Sequence, residues 1–271
     1  PLFNFESNIK NKGIKIKDVE IRPISKKEFY YFTNLDESQN LSNVFYDLTH
    51  VMYTTHSSND LNSGYDIAKS RFELMRDALS LTGSGNPTFG TIFRNINNSW
   101  IHYDSKFEID VVKQDSLFFD KRNISKLKSI FTSLYDVDFT KKENSFLDIS
   151  KRRFGSALTR TNSIDQLIDL TVSLESLFAP TPGEITVRLS NRMATLLAKN
   201  DSQREDYWMF IKKVYHLRSG IVHGDGLRNT EINGIKYTLD EILEKLVDLT
   251  RQTILIYLKL VGNYSGNNKI N

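Results

Sequence analysis

Beyond about residue 122 the sequence becomes a succession of long helical hydrophobic patterns parted by short breaks, and this restricts the fold more than any other feature. Apolar residues at helical spacing run over 124–135 and 143–158. Ser163 with Gln166 then spells a capping box that opens a helix to Phe178, closed by Pro180 and Pro182. Helical patterns over 184–199 and 202–222 follow, the second closed by Gly224. Thr238 with Glu241 caps a last helix to about Leu260. Helices of this length on short connections predict a bundle of antiparallel neighbours.

The first part has a different texture, broken by the turn-rich stretches 34–42, 56–64, 83–87 and 95–99. Ile14, Ile16, Val19 and Ile21 approximate the alternation of a strand that stops at Pro23. Ser25 with Glu28 makes a capping box for a short helix through Phe32. Residues 45–54 read as a strand, and Ile67, Phe72, Met75, Ala78, Leu79 and Leu81 as a helix ending at Gly83. Strands are expected at 88–93 and 101–112. The predicted class is α+β: a mixed α/β unit over 1–122, whose chemistry is not legible, followed by an all-α helical bundle over 123–271.

Composition narrows the function classes. Hydrophobic residues make up 39% and charged residues 25% of the 271, enough to bury a core and too apolar for a disordered chain. Zero cysteines exclude a disulfide scaffold, a thiolate nucleophile and any cysteine-based zinc or iron–sulfur site. The most apolar run, 253–262, is far shorter than a membrane span and is interrupted by Lys259, so no membrane partner is expected. No basic-then-apolar signal segment is present, and a cytoplasmic location is the expectation. The start at Pro1 rather than Met is expected of a processed or trimmed product. The net charge of +3 is carried by residues 151–271, since 1–150 is close to neutral.

Most candidate motifs fail on spacing. His50 and His56 are six apart, whereas two ligands on one helical face stand three or four apart. Asp136 with Asp138 and Glu108 with Asp110 share a face only on a strand and have no nearby histidine, so no metal and no cofactor is expected. Gly83-Ser-Gly lacks the Gly-Lys-Ser/Thr ending of a phosphate loop and sits where a helix C-cap belongs. The basic runs 121–128 and 151–153 read as solvated helix faces or as contacts to a phosphate backbone.

One local pattern carries chemistry: Arg218-Ser219-Gly220-Ile221-Val222-His223-Gly224. Tyr207, Ile211, Val214 and Ile221 trace an apolar stripe, and Arg218 falls on it, four after Val214. A guanidinium at a buried seam requires a carboxylate, a phosphate or a cavity. His223 stands at the helix C-terminus, where the dipole favours the protonated ring and a nearby Arg opposes it. A histidine that moves a proton and an arginine that stabilises phosphate charge suit phosphoryl transfer. Glu175 lies on the stripe formed by Ile164, Leu167, Ile168, Thr171, Leu174 and Phe178, while Arg188 and Arg192 flank that of Ile185, Leu189, Met193 and Leu196. A buried ion network and a polar cleft both explain such a set.

Three blocks in order resemble the ApeA-like branch of the HEPN superfamily. They are Asp165-Gln-Leu-Ile-Asp-Leu-Thr-Val-Ser-Leu-Glu175-Ser-Leu-Phe, Glu184-Ile-Thr-Val-Arg188-Leu-Ser-Asn-Arg192-Met-Ala, and Tyr215-His-Leu-Arg218-Ser-Gly-Ile-Val-His223-Gly224. The resemblance covers roughly 125–262. It implies a helical bundle that pairs as a homodimer, bringing two Arg-x(4–6)-His motifs to one cleft, as in metal-independent ribonucleases of toxin and antiphage systems. By that resemblance Arg218 contacts the scissile phosphate, His223 transfers the proton of the RNA 2′-hydroxyl, and Ser219 fills the polar position after the arginine. Glu175, Arg188 and Arg192 would support the site or bind substrate. Gly220 departs from the pattern and costs the last helical turn up to about 1 kcal/mol.

The leading expectation is an RNA-cleaving enzyme that leaves a 2′,3′-cyclic phosphate, with a phage component as its possible trigger. The alternative is a non-catalytic HEPN module that binds a nucleotide or RNA. A purely structural dimerisation unit would instead pair Arg218 with Glu175 and close it to solvent.

Overall fold

A computed structural model describes residues 2–3, 5–7, 13–34, 49–55, 61–83, 85, 87–89, 92–96, 99–104, 117–178, 184–224, 230–232 and 234–267. The chain is α+β and mostly helical, and it divides into two compact units, Pro1–Tyr135 and Asp136–Asn271. Among the described residues, no helix is long and apolar enough to cross a membrane.

The first unit contains a five-stranded antiparallel sheet built from β1 (Leu2–Phe3), β3 (Ile14–Ile16), β4 (Val19–Pro23), β5 (His50–Thr54) and β6 (Thr88–Phe89), ordered β3-β4-β5-β1-β6. The alternation expected as one strand over 14–21 is a hairpin instead. Ile16 pairs with Val19 across a two-residue turn in which Lys17 takes φ +53°. Asp18 in that turn accepts from Arg71 Nε at 2.8 Å, which ties the hairpin to α2 (Leu61–Thr82). β2 (Phe5–Ser7) pairs in parallel with β9 (Leu117–Phe119). The strand expected at 88–93 divides between β6 and β7 (Ile92–Ile96), which pairs with β8 (Ser99–Asp104). The rest of the strand expected at 101–112, and residues 45–48 of the one at 45–54, lie outside the described residues, as does His56.

The Ser25–Glu28 capping box opens α1 (Lys26–Asn34): Glu28 N–H donates to Ser25 Oγ at 3.2 Å, and Ser25 N–H to Glu28 Oε2 at 3.0 Å. Arg22 adds two guanidinium bonds to the same carboxylate, at 2.8 and 2.6 Å. Burial opposes ionisation of Glu28, but Arg22 and Ser25 outweigh it and hold its pKa at about 2.

The helix α3 (Lys121–Asp136) groups with the first unit, so the division falls after Tyr135 rather than after residue 122. Leu127, Ile130, Phe131 and Leu134 bury its apolar face. Lys17 Nζ and Arg71 Cζ stand 3.8 and 4.2 Å from the centre of the Tyr135 ring. Lys126 Nζ donates to the Thr82 carbonyl at 2.6 Å, at the end of α2. These contacts make α3 a wall of the mixed unit.

The second unit holds α4 (Ser145–Thr159), α5 (Ser163–Phe178), α6 (Ile185–Leu197), α7 (Asp201–Val222), α8 (Leu239–Asn267) and the hairpin β10 (Glu231–Ile232)–β11 (Ile235–Lys236). A single 3-10 turn, Lys142–Asn144, precedes α4. The helix α5 is the centre: it packs against α4, α6, α7 and α8 and buries Leu167, Leu170, Leu174, Leu177 and Phe178. Each such side chain contributes about 1.5–3 kcal/mol of hydrophobic stabilisation. The capping residue of α5 is Asn162, not Ser163. Its Oδ1 accepts from Ile164 N–H at 2.8 Å and Asp165 N–H at 3.3 Å, so Ser163 is the first helical residue. The Thr238–Glu241 box opens α8 as expected.

Charge also joins α4 to α5. Asp169 is buried and accepts from Arg153 at 2.9 Å and Arg160 at 2.7 Å. Lys151 and Arg152 both pair with Asp148. Each cation of the run 151–153 thus has a carboxylate partner within the unit, shared with a second cation. In the run 121–128, Arg122 pairs with Asp120 at 2.6 Å.

Candidate functional site

The helix α7 positions the Arg–His motif. Asn200 caps its start by accepting from Gln203 N–H at 2.9 Å. At its end His223 N–H donates to the Ser219 carbonyl at 3.0 Å and Gly224 N–H to Ile221 at 3.1 Å. Gly224 takes φ +85°, a conformation that glycine adopts without strain, and it ends the helix just after His223. The imidazole is thereby left exposed at the C-terminal end of the helix dipole.

The buried seam of α7 is Phe210, Ile211, Val214 and Leu217. Tyr207 and Ile221, expected on that seam, are half-buried, and Arg218 sits at its edge. From there the guanidinium faces α5: Arg218 Nη2 is 3.9 Å from Glu175 Oε1. Both side chains keep about a quarter of their surface, 24% and 21%. The separation exceeds a hydrogen bond, and both Glu175 Oε1 and Arg218 Nε are buried without a hydrogen-bond partner. A buried polar atom left in that state costs about 1–3 kcal/mol, so the pair is poorly satisfied by itself.

Tyr215 completes the cluster. One turn before Arg218, its ring centre lies 5.8 Å from the guanidinium carbon. Burial raises the Tyr215 pKa, the Glu175 charge raises it further, and Arg218 works against both. Its place three residues before Arg218 is the signal that sequence reasoning passed over.

Of the remaining candidates, Arg192 has a partner of its own. Arg192 is exposed on α6, and its Nη1 donates to the Phe178 carbonyl at the end of α5. Tyr257 Oη donates to the adjacent Leu177 carbonyl at 3.1 Å. Arg192 thus serves as a C-terminal cap of α5, one turn beyond Glu175. Arg188 is half-buried a turn earlier on α6, and Ser219 is half-buried beside Arg218. Five residues on one helix set Arg218 and His223 about 140° apart around the axis and about 7.5 Å apart along it. The two side chains diverge, so a single α7 does not present both to one phosphate.

Among the described residues, no group of three or more His, Asp or Glu could hold a metal ion. Compared with family models, curated proteins and solved structures, the chain matches none.

Proposed function

We propose that the helical unit is a HEPN-like domain and that the chain is a metal-independent endoribonuclease of a defence or toxin type, working as a homodimer. The observation that carries this reading is the under-satisfied guanidinium of Arg218, about a quarter exposed on the helix that ends in His223. A phosphate oxygen at Arg218 supplies the acceptor that Glu175, at 3.9 Å, does not. The divergence of Arg218 and His223 along α7 favours a cleft shared by two copies, one copy's histidine meeting the phosphate held by the other's arginine.

In that cleft an unprotonated His223 takes the proton of the 2′-hydroxyl as its oxygen attacks phosphorus. The bond from phosphorus to the 5′-oxygen breaks, and a protonated imidazole returns a proton to the leaving oxygen. The products are a 2′,3′-cyclic phosphate and a 5′-hydroxyl. Arg218 stabilises the charge that builds on the non-bridging oxygens.

A second reading rests on the divergence of Arg218 and His223 along α7: an arginine that meets a phosphate with no histidine beside it suits a module that binds RNA or a nucleotide without cleaving it. In that case the first unit would sense a phage component. Incubation of the purified chain with total RNA in EDTA separates the two. Fragments with cyclic phosphate ends support the enzyme, and binding without fragments supports the module.

A further inference from the structure

Seventeen residues of α7 and its cap, from Tyr207 to His223, contain Lys212, Lys213, His216, Arg218 and His223 and no carboxylate. The helix's acids, Asp201, Glu205 and Asp206, are confined to its first turns. At 100° per residue, Trp208, Lys212, His216, Ser219 and His223 fall within about 80° of one another, away from the buried seam of Phe210, Ile211, Val214 and Leu217. His216 and His223 are exposed, and Trp208, Lys212 and Ser219 are half-buried. Lys212 Nζ stands 4.6 Å from the centre of the Trp208 ring, so a cation and an indole occupy adjacent turns of one ridge.

We propose that this ridge is a binding track for single-stranded RNA, along which the strand lies as it approaches His223. The proposal deepens the ribonuclease reading and rests on it for the placement of the scissile phosphate. From Trp208 to His223 the ridge rises about 22 Å, the length of roughly six stacked nucleotides at about 3.4 Å each. An aromatic face beside a cation is the chemistry that holds single strands without reading their sequence. The base stacks on the indole, and the lysine meets the neighbouring phosphate. His216 and Ser219 offer hydrogen bonds to the sugar–phosphate chain between Lys212 and the motif. The acids of the first turns repel a polyanion and end the track at Trp208. A duplex keeps its bases stacked on one another and cannot use the indole.

The test uses the full chain carrying His223→Ala, to prevent cleavage, and Trp100→Phe, which leaves Trp208 the only tryptophan. The probe is a 12-nucleotide single-stranded RNA with a fluorescent label. The expected results are quenching of Trp208 emission on binding, about tenfold weaker binding by Trp208→Ala, and at least tenfold weaker binding by Lys212→Glu. Lys212→Ala should flatten the salt dependence by about one unit of slope. If Trp100→Phe disturbs folding, 5-fluorotryptophan in the His223→Ala chain gives a separate resonance for Trp208 that should shift with RNA. Labelled RNA that binds without changing Trp208, or with unchanged affinity for Lys212→Glu, overturns the track. Tighter binding of duplex than of single strand also overturns it. Quenching in a chain whose wild type does not cleave RNA keeps the track and removes the ribonuclease. Cleavage with no effect of the ridge substitutions does the reverse.

Discussion

Glu175 and Arg218 face each other from α5 and α7 at 3.9 Å, near enough to attract and too far to hydrogen bond, and each keeps a buried polar atom unpaired. A purely structural ion pair would be closed and fully bonded. This one is open by about a quarter of each side chain. Partial exposure limits its worth, and a double-mutant cycle with Glu175→Gln and Arg218→Gln should return a coupling below about 1 kcal/mol. The Glu175→Gln chain should stay folded and bind RNA several-fold more tightly, because a charge that repels phosphate has gone. Denaturant unfolding and RNA titration check both. A loss above about 3 kcal/mol would instead make Arg218 a buried structural charge.

Asp169 is where charge does hold the second unit together. Two guanidinium groups converge on a carboxylate that is 2% exposed, although Arg153 and Arg160 are themselves about half open to solvent. Asp169→Ala should cost about 2–4 kcal/mol, measured as a fall in the unfolding midpoint of the helical unit. Asp148→Ala, which removes the pairs to a mostly buried Lys151 and an exposed Arg152 from a carboxylate that is itself 25% exposed, should cost less, about 1 kcal/mol.

The N-terminus of α5 gives a sharper contrast between neighbours. Asn162→Ala removes the acceptor for two backbone amides and should cost about 1 kcal/mol. Ser163→Ala, at the first helical position, should leave stability within about 0.5 kcal/mol. Equal losses at the two positions would contradict the assignment of the cap.

Acid should weaken the first unit in two stages. Burial lowers the pKa of His50, so the stability contributed by its neutral ring is complete above about pH 6.5 and declines as pH falls below that value. Glu28 is held at about 2 against an ordinary 4.5, so its contribution is complete above pH 4.5 and is lost as pH falls towards 2. The second stage amounts to about 2–3 kcal/mol, allowing for the partial exposure of Arg22. Glu28→Gln should remove it and leave the first stage in place, as followed by circular dichroism across an acid titration.

The helices of the second unit were legible because their apolar faces recur at 3.6 residues over three or more turns, and α5 and α7 follow that rule. Their ends were less so. Asn162 and Ser163 are both good caps, and only backbone geometry decides which one stands outside the helix. The hairpin over 14–21 was hidden by alternation that looks continuous, yet the three-residue step from Ile16 to Val19 marks its turn at Lys17 and Asp18. The placement of β1 between β5 and β6 is a long-range pairing that no local pattern encodes. Periodicity places Arg218 at a core-facing or boundary position, and it lies at the seam's edge. Its partner Glu175 could be anticipated from periodicity, whereas Tyr215 needed the three-dimensional approach of α5 to α7. Arg192 resembled a site residue because it flanks the α6 face, but its guanidinium goes to the end of α5.

The central claim is that Arg218 and His223 cleave RNA, and its most direct measurement is cleavage by the purified full chain in EDTA with the new ends identified. The wild type should release fragments ending in 2′,3′-cyclic phosphate and 5′-hydroxyl. Arg218→Ala and His223→Ala should each lower the rate at least about 100-fold without moving the unfolding midpoint. Equal cleavage by the wild type and the double substitution would contradict the account.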